Sequence, residues 1–474
     1  MADNVLLIET AGVTLPSRNL NQTDMKAPAW TRLDNASIIY PSCRTRKYAT
    51  IFRLEVTLDQ DVSETLLGEA LNNCIKRFPG FRYTLDNGFF WWFLRRLEND
   101  PVTAPPFAMR PFNFKKNGGY LFKAGCRGNR IILDFFHALT DGTGGMTFAM
   151  SLTAEYIRLR YGVDVPAGKW VLDLNEEPSE KEMEDSFDAF SGTKGSLDKE
   201  TRAYHLHGTE ECPGVLHDIR VSLPLDKMQA LAKENGCTLT ELTTALMLKS
   251  MQEVRSKRPV IGDSPYIKVE VPVNLRPLFD SRTLRNFSSY VHLGIDVRNG
   301  NLPFEDILQE VRLQKRLFVN PHRLTTRVAA NVALEDNLAI RCIPLFIKKA
   351  AINFINSHKG ENYCSHTLSN IGEIKLRQEM ASHVRDINFI LGRPQKKSGS
   401  CACVSYGNRL NLNFSRKIAE HAFEDAFVRN LRELGIEVEV TASTPSDKPL
   451  GAGKAPSIPM RWARVGMLRT LLLI

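Results

Sequence analysis

The chain has 474 residues, beyond the length at which a single hydrophobic core keeps growing, so two domains or two intimately packed halves are expected. Apolar residues at 43% and charged residues at 24% exclude a disordered or membrane-spanning chain, and the nine scattered cysteines show no metal-ligand spacing, so small buried thiols in a reducing compartment and no metal site are expected. The formal charge of +9 would help attract a polyanionic small molecule or an acidic partner; no basic run interleaved with aromatics points to nucleic acid.

The opening MADNVLLIETAG lacks a basic stretch followed by a long apolar one, which makes the cytoplasm the expected location. Residues 30–45 read as an irregular leading segment. Phe52, Leu54, Val56 and Leu58 then alternate as a half-buried strand does. A helix over 62–77 gathers Leu66, Leu67, Ala70, Leu71 and Cys74 on one face and stops at Pro79-Gly80. Two hairpins follow, 81–85 with 89–94 across Asp86-Asn87-Gly88, and 120–125 with 130–136 across Arg127-Gly128-Asn129. The second delivers His137, and helical spacing resumes from 143 to 161.

Residues 173–213, acidic and with little periodicity, read as a crossover linker. Beyond it come a helix over 226–235, a stop at Gly236, and a Thr238-to-Glu241 capping box opening the next helix. Two strands of period two, Ile267 to Val273 and Val291 to Val297, bracket the charged residues Arg276, Asp280, Arg282 and Arg285. Helices over 303–318 and 324–356, the stretch SHTLSNIGEI, a strand over 384–391, a hairpin of 401–406 with 410–414, a helix over 418–434 and a last strand to Val440 complete the pattern. The class is mixed α/β with hairpins, not the strict alternation of a doubly wound sheet. The division expected is 1–172, the linker 173–213, 214–441, and a Ser/Thr/Pro/Gly-rich flexible tail over 442–474. That tail ends in RWARVGMLRTLLLI, whose basic and apolar residues suit contact with a membrane surface but are too short to span one; an untethered end is the alternative.

Chemistry centres on RIILDFFHALTDGTGGM, residues 130–146. A titratable side chain at the end of an apolar strand is held by rigid backbone and still reaches a cavity, which is what a general base needs. His137 is the first candidate. Asp141 follows four residues later, with Gly142, Gly144 and Gly145 leaving room for close backbone approach; as an ordinary helix cap, Asp141 would do no more than accept backbone N–H groups. There is no G-x-S-x-G elbow, the glycine run lacks the last glycine of a dinucleotide fingerprint, Gly451-Ala-Gly453-Lys454 is too short for a phosphate loop, and Cys401 and Cys403 share one strand face as core residues do.

FFHALTDGTGG resembles the H-x-x-x-D-G signature of the coenzyme A-dependent acyltransferase superfamily, which includes chloramphenicol acetyltransferase, peptide-synthetase condensation domains, plant acyltransferases and bacterial alcohol acetyltransferases. ALNNCIKRFPGFRY, VPVNLRPLF with RNF, TLSNIGEI and VSYGNRLNLNFS look like its other landmarks in the right order, covering about residues 25–440. Leu412-Asn413-Phe414-Ser415 stands where plant members carry Asp-Phe-Gly-Trp-Gly, pointing toward the bacterial alcohol acetyltransferase or condensation branches. The resemblance implies two chloramphenicol-acetyltransferase-like halves forming a pseudo-dimer with a tunnel between them, and His137 midway along it. It implies acyl transfer from coenzyme A to an alcohol, or from a carrier-protein thioester to an amine. Acyl-coenzyme A would be a co-substrate and nothing would be tightly bound; a monomer is expected. Asp141 would be structural, paired with Arg276 of the second half, Gly142 would keep the turn tight, and Ser369 or Asn370 would donate to the oxyanion. A catalytically idle scaffold of the same fold is the reading from another class.

Overall fold

The computed structural model describes residues 27–44, 50–105, 107–196, 199–211, 216–358 and 360–442. The alternating strand Ile51–Leu58 lies inside a four-stranded antiparallel sheet ordered Val384–Leu391, Ile51–Leu58, Arg130–Phe136, Phe122–Arg127. Its last two strands close over Gly128-Asn129, with Gly128 at φ 56°, the left-handed backbone that a two-residue hairpin demands. The helices Glu64–Arg77 and Gly142–Tyr161 pack against each other and contribute to the same core. Phe52, Phe81, Phe122, Phe135 and Phe148 interlock there, the Phe81 and Phe148 rings stacking at 4.9 Å. Each such burial stabilises by about 1.5–3 kcal/mol, so the strand ending in Phe136 is anchored firmly just before His137.

A second sheet of seven strands runs in the order Glu439–Ala442, His217–Pro224, Arg409–Arg416, Gly399–Tyr406, His366–Ile374, Tyr266–Asn274, Ser288–Asp296. Val269, Val271, Leu293, Ile295, Leu368, Cys401 and Cys403 point to one face and form a core with the helices Leu225–Glu234, Leu239–Lys257, Phe304–Phe318 and Ala422–Glu433. Strand alternation therefore turns Lys268, Glu270, His292, Thr367 and Ser369 to the other face. The capping box forms as the spacing predicts: Glu241 N–H donates to Thr238 Oγ1 at 3.3 Å, and Thr238 N–H donates to Glu241 Oε2 at 2.7 Å. A small sheet of Trp30–Arg32, Trp92–Arg96 and Tyr83–Asn87 completes the strands among the described residues.

The structure departs from the sequence reading in several places. The strand Val384–Leu391 belongs by position to the second half yet joins the first half's sheet, pairing along Ile51–Leu58, so the halves are not cleanly divided along the chain. The leading segment is ordered, with a 3-10 turn at Asn35–Ile38 and a short helix at Ile39–Cys43. In the first hairpin, Asp86 and Asn87 pair with Phe93 and Trp92, so the turn falls at 88–91 instead of 86–88. The single helix expected over 324–356 is three, Pro321–Asp336, Leu338–Arg341 and Leu345–His358. Asn337 interrupts it by capping the second piece through Ala339 N–H and Ile340 N–H, and Pro344 has no N–H with which to continue.

The stretch read as a linker is docked along its described length. Glu182 takes a bidentate pair from buried Arg77 at 2.6 and 2.9 Å, and Phe187 and Phe190 sit in a third core with Leu275, Phe287, Leu324 and Val328. Among the described residues no helix is long and apolar enough to cross a membrane; the tail from 443 lies outside them.

Candidate active site

His137 leaves the sheet immediately after Phe136, its N–H donating to Thr50 O at 2.9 Å. The ring lies deep in the molecule while part of the residue remains open to solvent. Tyr40 stacks on it, centroids 4.3 Å apart and planes 19° from parallel, and Phe52 meets it edge-on at 5.3 Å. The leading segment is thus half of the ring's clamp.

Asn286 fixes the tautomer. Its Nδ2 donates to the His137 carbonyl at 3.0 Å and to Ser37 Oγ at 2.8 Å, and Ser37 Oγ in turn donates to Asp34 Oδ1 at 2.5 Å. A carbonyl can only accept, so that atom of Asn286 is the amide nitrogen, and its Oδ1 faces His137 Nδ1 at 3.1 Å. The imidazole therefore carries its proton on Nδ1 and its lone pair on Nε2. Burial holds the imidazole below its ordinary pKa of 6.5, outweighing its own backbone hydrogen bond, the Asp141 charge and the Asn286 bond, all of which raise it. At neutral pH the imidazole is uncharged. Behind it, burial lifts the Asp34 carboxyl above the usual range despite the opposing Arg285 charge and the bonds from Ser37 and Asn286. Burial, with the charges of Asp34, Glu270 and Asp141, keeps the Tyr40 phenol protonated far above its ordinary value.

Asp141 faces away from this ring. Its Oδ1 caps the helix Gly142–Tyr161 by accepting from Thr143 N–H and Gly144 N–H, both at 3.1 Å. Both oxygens also take a bidentate pair from Arg276, at 2.8 and 3.1 Å, and Oδ2 accepts from Phe287 N–H at 3.1 Å. Burial alone would raise this carboxyl; the Arg276 charge and hydrogen bonds, then those of Phe287 and Gly144, hold it below its ordinary value. Arg276 is itself buried and donates further to the carbonyls of Thr283 and Arg285, at 2.7 and 2.5 Å. One guanidinium thus ties the His137 turn to the segment that carries Asn286.

The glycines permit this contact. A Cβ on Gly144 would lie 2.2 Å from the Leu284 carbonyl, and one on Gly142 would press on Ile371 at 3.2 Å. Any side chain at 144 would push the two segments apart. Ser369 and Asn370 part company on their strand. Ser369 shares the face of Thr367, whereas Asn370 turns toward the helix Leu239–Lys257, donating to Thr240 Oγ1 at 3.1 Å and accepting from Gly372 N–H at 2.8 Å. Asn370 is thereby spent within the fold. Asn286, Tyr40, Ser37 and Asp34 did not emerge as site residues from the sequence; the RNF landmark was the only signal for any of them.

No family model matches the chain. Two uncharacterised proteins from two strains of Mycobacterium tuberculosis are each 28% identical over 177 residues, a match spanning 36% of this chain and 41% of theirs. Among solved structures, polyketide synthase associated protein 5 from Mycobacterium tuberculosis is 14% identical with a TM-score of 0.54, covering 84% of this chain and 96% of its own. The trichothecene 15-O-acetyltransferase of Fusarium sporotrichioides is 12% identical with a TM-score of 0.56, covering 89% and 99%. The starter condensation domain of rhizomide synthetase, solved as a mutant with C8-CoA and Leu-SNAC, is 11% identical with a TM-score of 0.55, covering 86% and 94%. Taken with the sheets and helices described above, these likenesses establish that the chain has the two-lobed mixed α/β fold shared by those three structures.

Proposed function

We propose that this protein is an acyltransferase that moves an acyl group, acetyl or another short chain, from coenzyme A to the hydroxyl of a small alcohol, with His137 as general base. The observation that carries the reading is the Nε2 lone pair of a neutral imidazole, fixed in one tautomer by Asn286 and in one plane by Tyr40. Nε2 takes the hydroxyl proton as the oxygen attacks the thioester carbonyl. The tetrahedral intermediate collapses with loss of the thiolate, and the imidazolium returns its proton to that sulfur. Asn286 Oδ1 and the Tyr40 ring face stabilise the transient cation, through a hydrogen bond and a cation–π contact. No covalent acyl-enzyme is needed.

Ser369 is the hydroxyl we assign to the oxyanion, since a donor aimed at developing charge is required and Asn370 faces elsewhere. Gly142 keeps the turn tight, and Asp141 with Arg276 holds it. The C8-CoA bound to the rhizomide starter domain supports a coenzyme A thioester as donor. A second reading, condensation of a carrier-protein thioester with an amine, is favoured by the likeness to condensation domains. Incubating the protein with a panel of acyl-coenzyme A donors and mixed alcohol and amine acceptors, with mass spectrometric detection of products, tests both. Transfer to alcohols is expected. Absence of transfer together with absence of calorimetric binding to any acyl-coenzyme A would remove the coenzyme A reading.

Two further outcomes follow from the geometry. Because the base must be neutral and burial holds its pKa below 6.5, kcat/KM should rise with pH, reach half its plateau below pH 6.5, and have levelled off by pH 8. A midpoint above 6.5 in that profile would contradict the buried-imidazole reading. Asn286→Ala releases the ring from its tautomer and plane; misplacement on that scale costs about 10²-fold, so kcat should fall by about that factor with KM little changed. Steady-state kinetics on a variant shown to be folded by circular dichroism would check it, and parent-level kcat would free His137 of any need for Asn286.

A further inference from the structure

We infer that the second half carries a binding site for a zinc-class divalent cation, built from Glu270, His292 and Cys364. Glu270 and His292 are direct partners on the antiparallel strands Tyr266–Asn274 and Ser288–Asp296, both turned to the face away from the helical core. Cys364 lies just before the strand His366–Ile374, where Ser365 N–H, donating to Lys268 O at 2.7 Å, fixes the chain beside them. The ligating atoms all fall within 4.8 Å of one another. His292 Nε2 is 3.7 Å from Glu270 Oε2, and Cys364 Sγ is 3.8 Å from the same oxygen. Tetrahedral zinc, with bonds of about 2.0–2.3 Å, sets its ligand atoms about 3.3–3.8 Å apart, so the set is already close to its loaded spacing.

The surroundings match a metal site as well. Glu200 Oε1 stands 3.1 Å from His292 Nδ1, close enough for its charge to act on the imidazole as the outer carboxylate of a metal-bound histidine does. Three protein ligands leave a fourth position for a water or substrate atom, and His292 and Glu200 line a cavity of about 830 Å³ on their side of the site. Thiolate and imidazole select zinc, or cobalt in its place, over magnesium and calcium. Lys268 and Arg327 compete for Glu200, at 3.5 and 3.7 Å from its carboxylate, and Lys397 opposes the cation directly: its Nζ lies 3.5 Å from Glu270 Oε1 and 3.8 Å from Cys364 Sγ, and it also bonds Thr367 Oγ1. The ammonium uses the other carboxylate oxygen, so the two cations share Glu270 and repel each other.

Cobalt(II) titrated into the full chain after dialysis against chelator is the test, because thiolate-to-cobalt charge transfer reports Cys364 without any need for activity. The parent should saturate at one equivalent with that band and with tetrahedral d–d absorption, both displaced by zinc. Cys364→Ser should lose the charge-transfer band, and Glu200→Gln should keep it while weakening binding by about 10–100-fold. Lys397→Met should tighten binding by about tenfold, through loss of the like charge. A parent with no saturable cobalt spectrum overturns the site, as does a folded Cys364→Ser protein with the parent spectrum or a Lys397→Met protein that binds no more tightly than the parent.

Discussion

Replacing His137 by alanine is expected to lower kcat by about 10²–10⁴-fold, the range a positioned general base supplies, while the denaturant midpoint stays close to the parent's. The loss is large because, among the described residues, the titratable groups around the ring are not available to take over the proton. Tyr40 remains protonated, Asp141 is turned away and saturated by Arg276 and backbone donors, and Asp34 is separated from the substrate side by Ser37 and Asn286. Stability is spared because the fold around the ring is anchored elsewhere: the strand before it by the phenylalanine core, the turn after it by the Asp141–Arg276 pair. Turnover measured across the acyl-coenzyme A panel decides the matter, and a His137→Ala protein working at the parent rate would end the general-base reading.

Asp141→Asn and Arg276→Ala should each cost about 3–5 kcal/mol of stability, because removing one member of a buried pair leaves the other charge without its counterion. Both should lower activity too, as the turn bearing His137 and the segment bearing Asn286 lose their tie. The double variant should lose less than the sum of the singles, with a coupling of about 0.5–3 kcal/mol. Chemical denaturation of the four proteins measures this directly; additive losses would show that the two charges do not depend on each other. The pair also has a pH signature. Asp141 is held below its ordinary carboxylate value, so its contribution is complete above the unfolded pKa of about 3.9 and is lost as pH falls through the lower folded value. Acid titration of stability should show that loss in the parent and not in Asp141→Asn.

Much of this protein is written locally. The alternation in Ile51–Leu58 and Tyr266–Asn274, the apolar run of Arg130–Phe136, the glycine of the 128 turn and the Thr238–Glu241 cap depend on neighbours a few residues away, and the local order of residues announces them. His137, Asp141 and the following glycines are legible for the same reason, since one strand end, one turn and one helix start hold them. Arg276 could be paired with Asp141 only through the resemblance of the segments around them. What lies beyond local reach is set by contacts between distant segments. The strand Val384–Leu391 reads the same whichever sheet it joins, and only packing against Ile51–Leu58 assigns it to the first. Tyr40 looked irregular because its short helix has too few turns to leave a periodic trace, yet the tertiary fold stacks it on His137. Asn286, Ser37 and Asp34 form a hydrogen-bonded chain across some 250 residues, and Glu270, His292 and Cys364 converge from three separate segments. No spacing encodes such groupings: hydrogen bonds and metal ligation act over a few ångströms in space, and chain folding alone brings those atoms within that range.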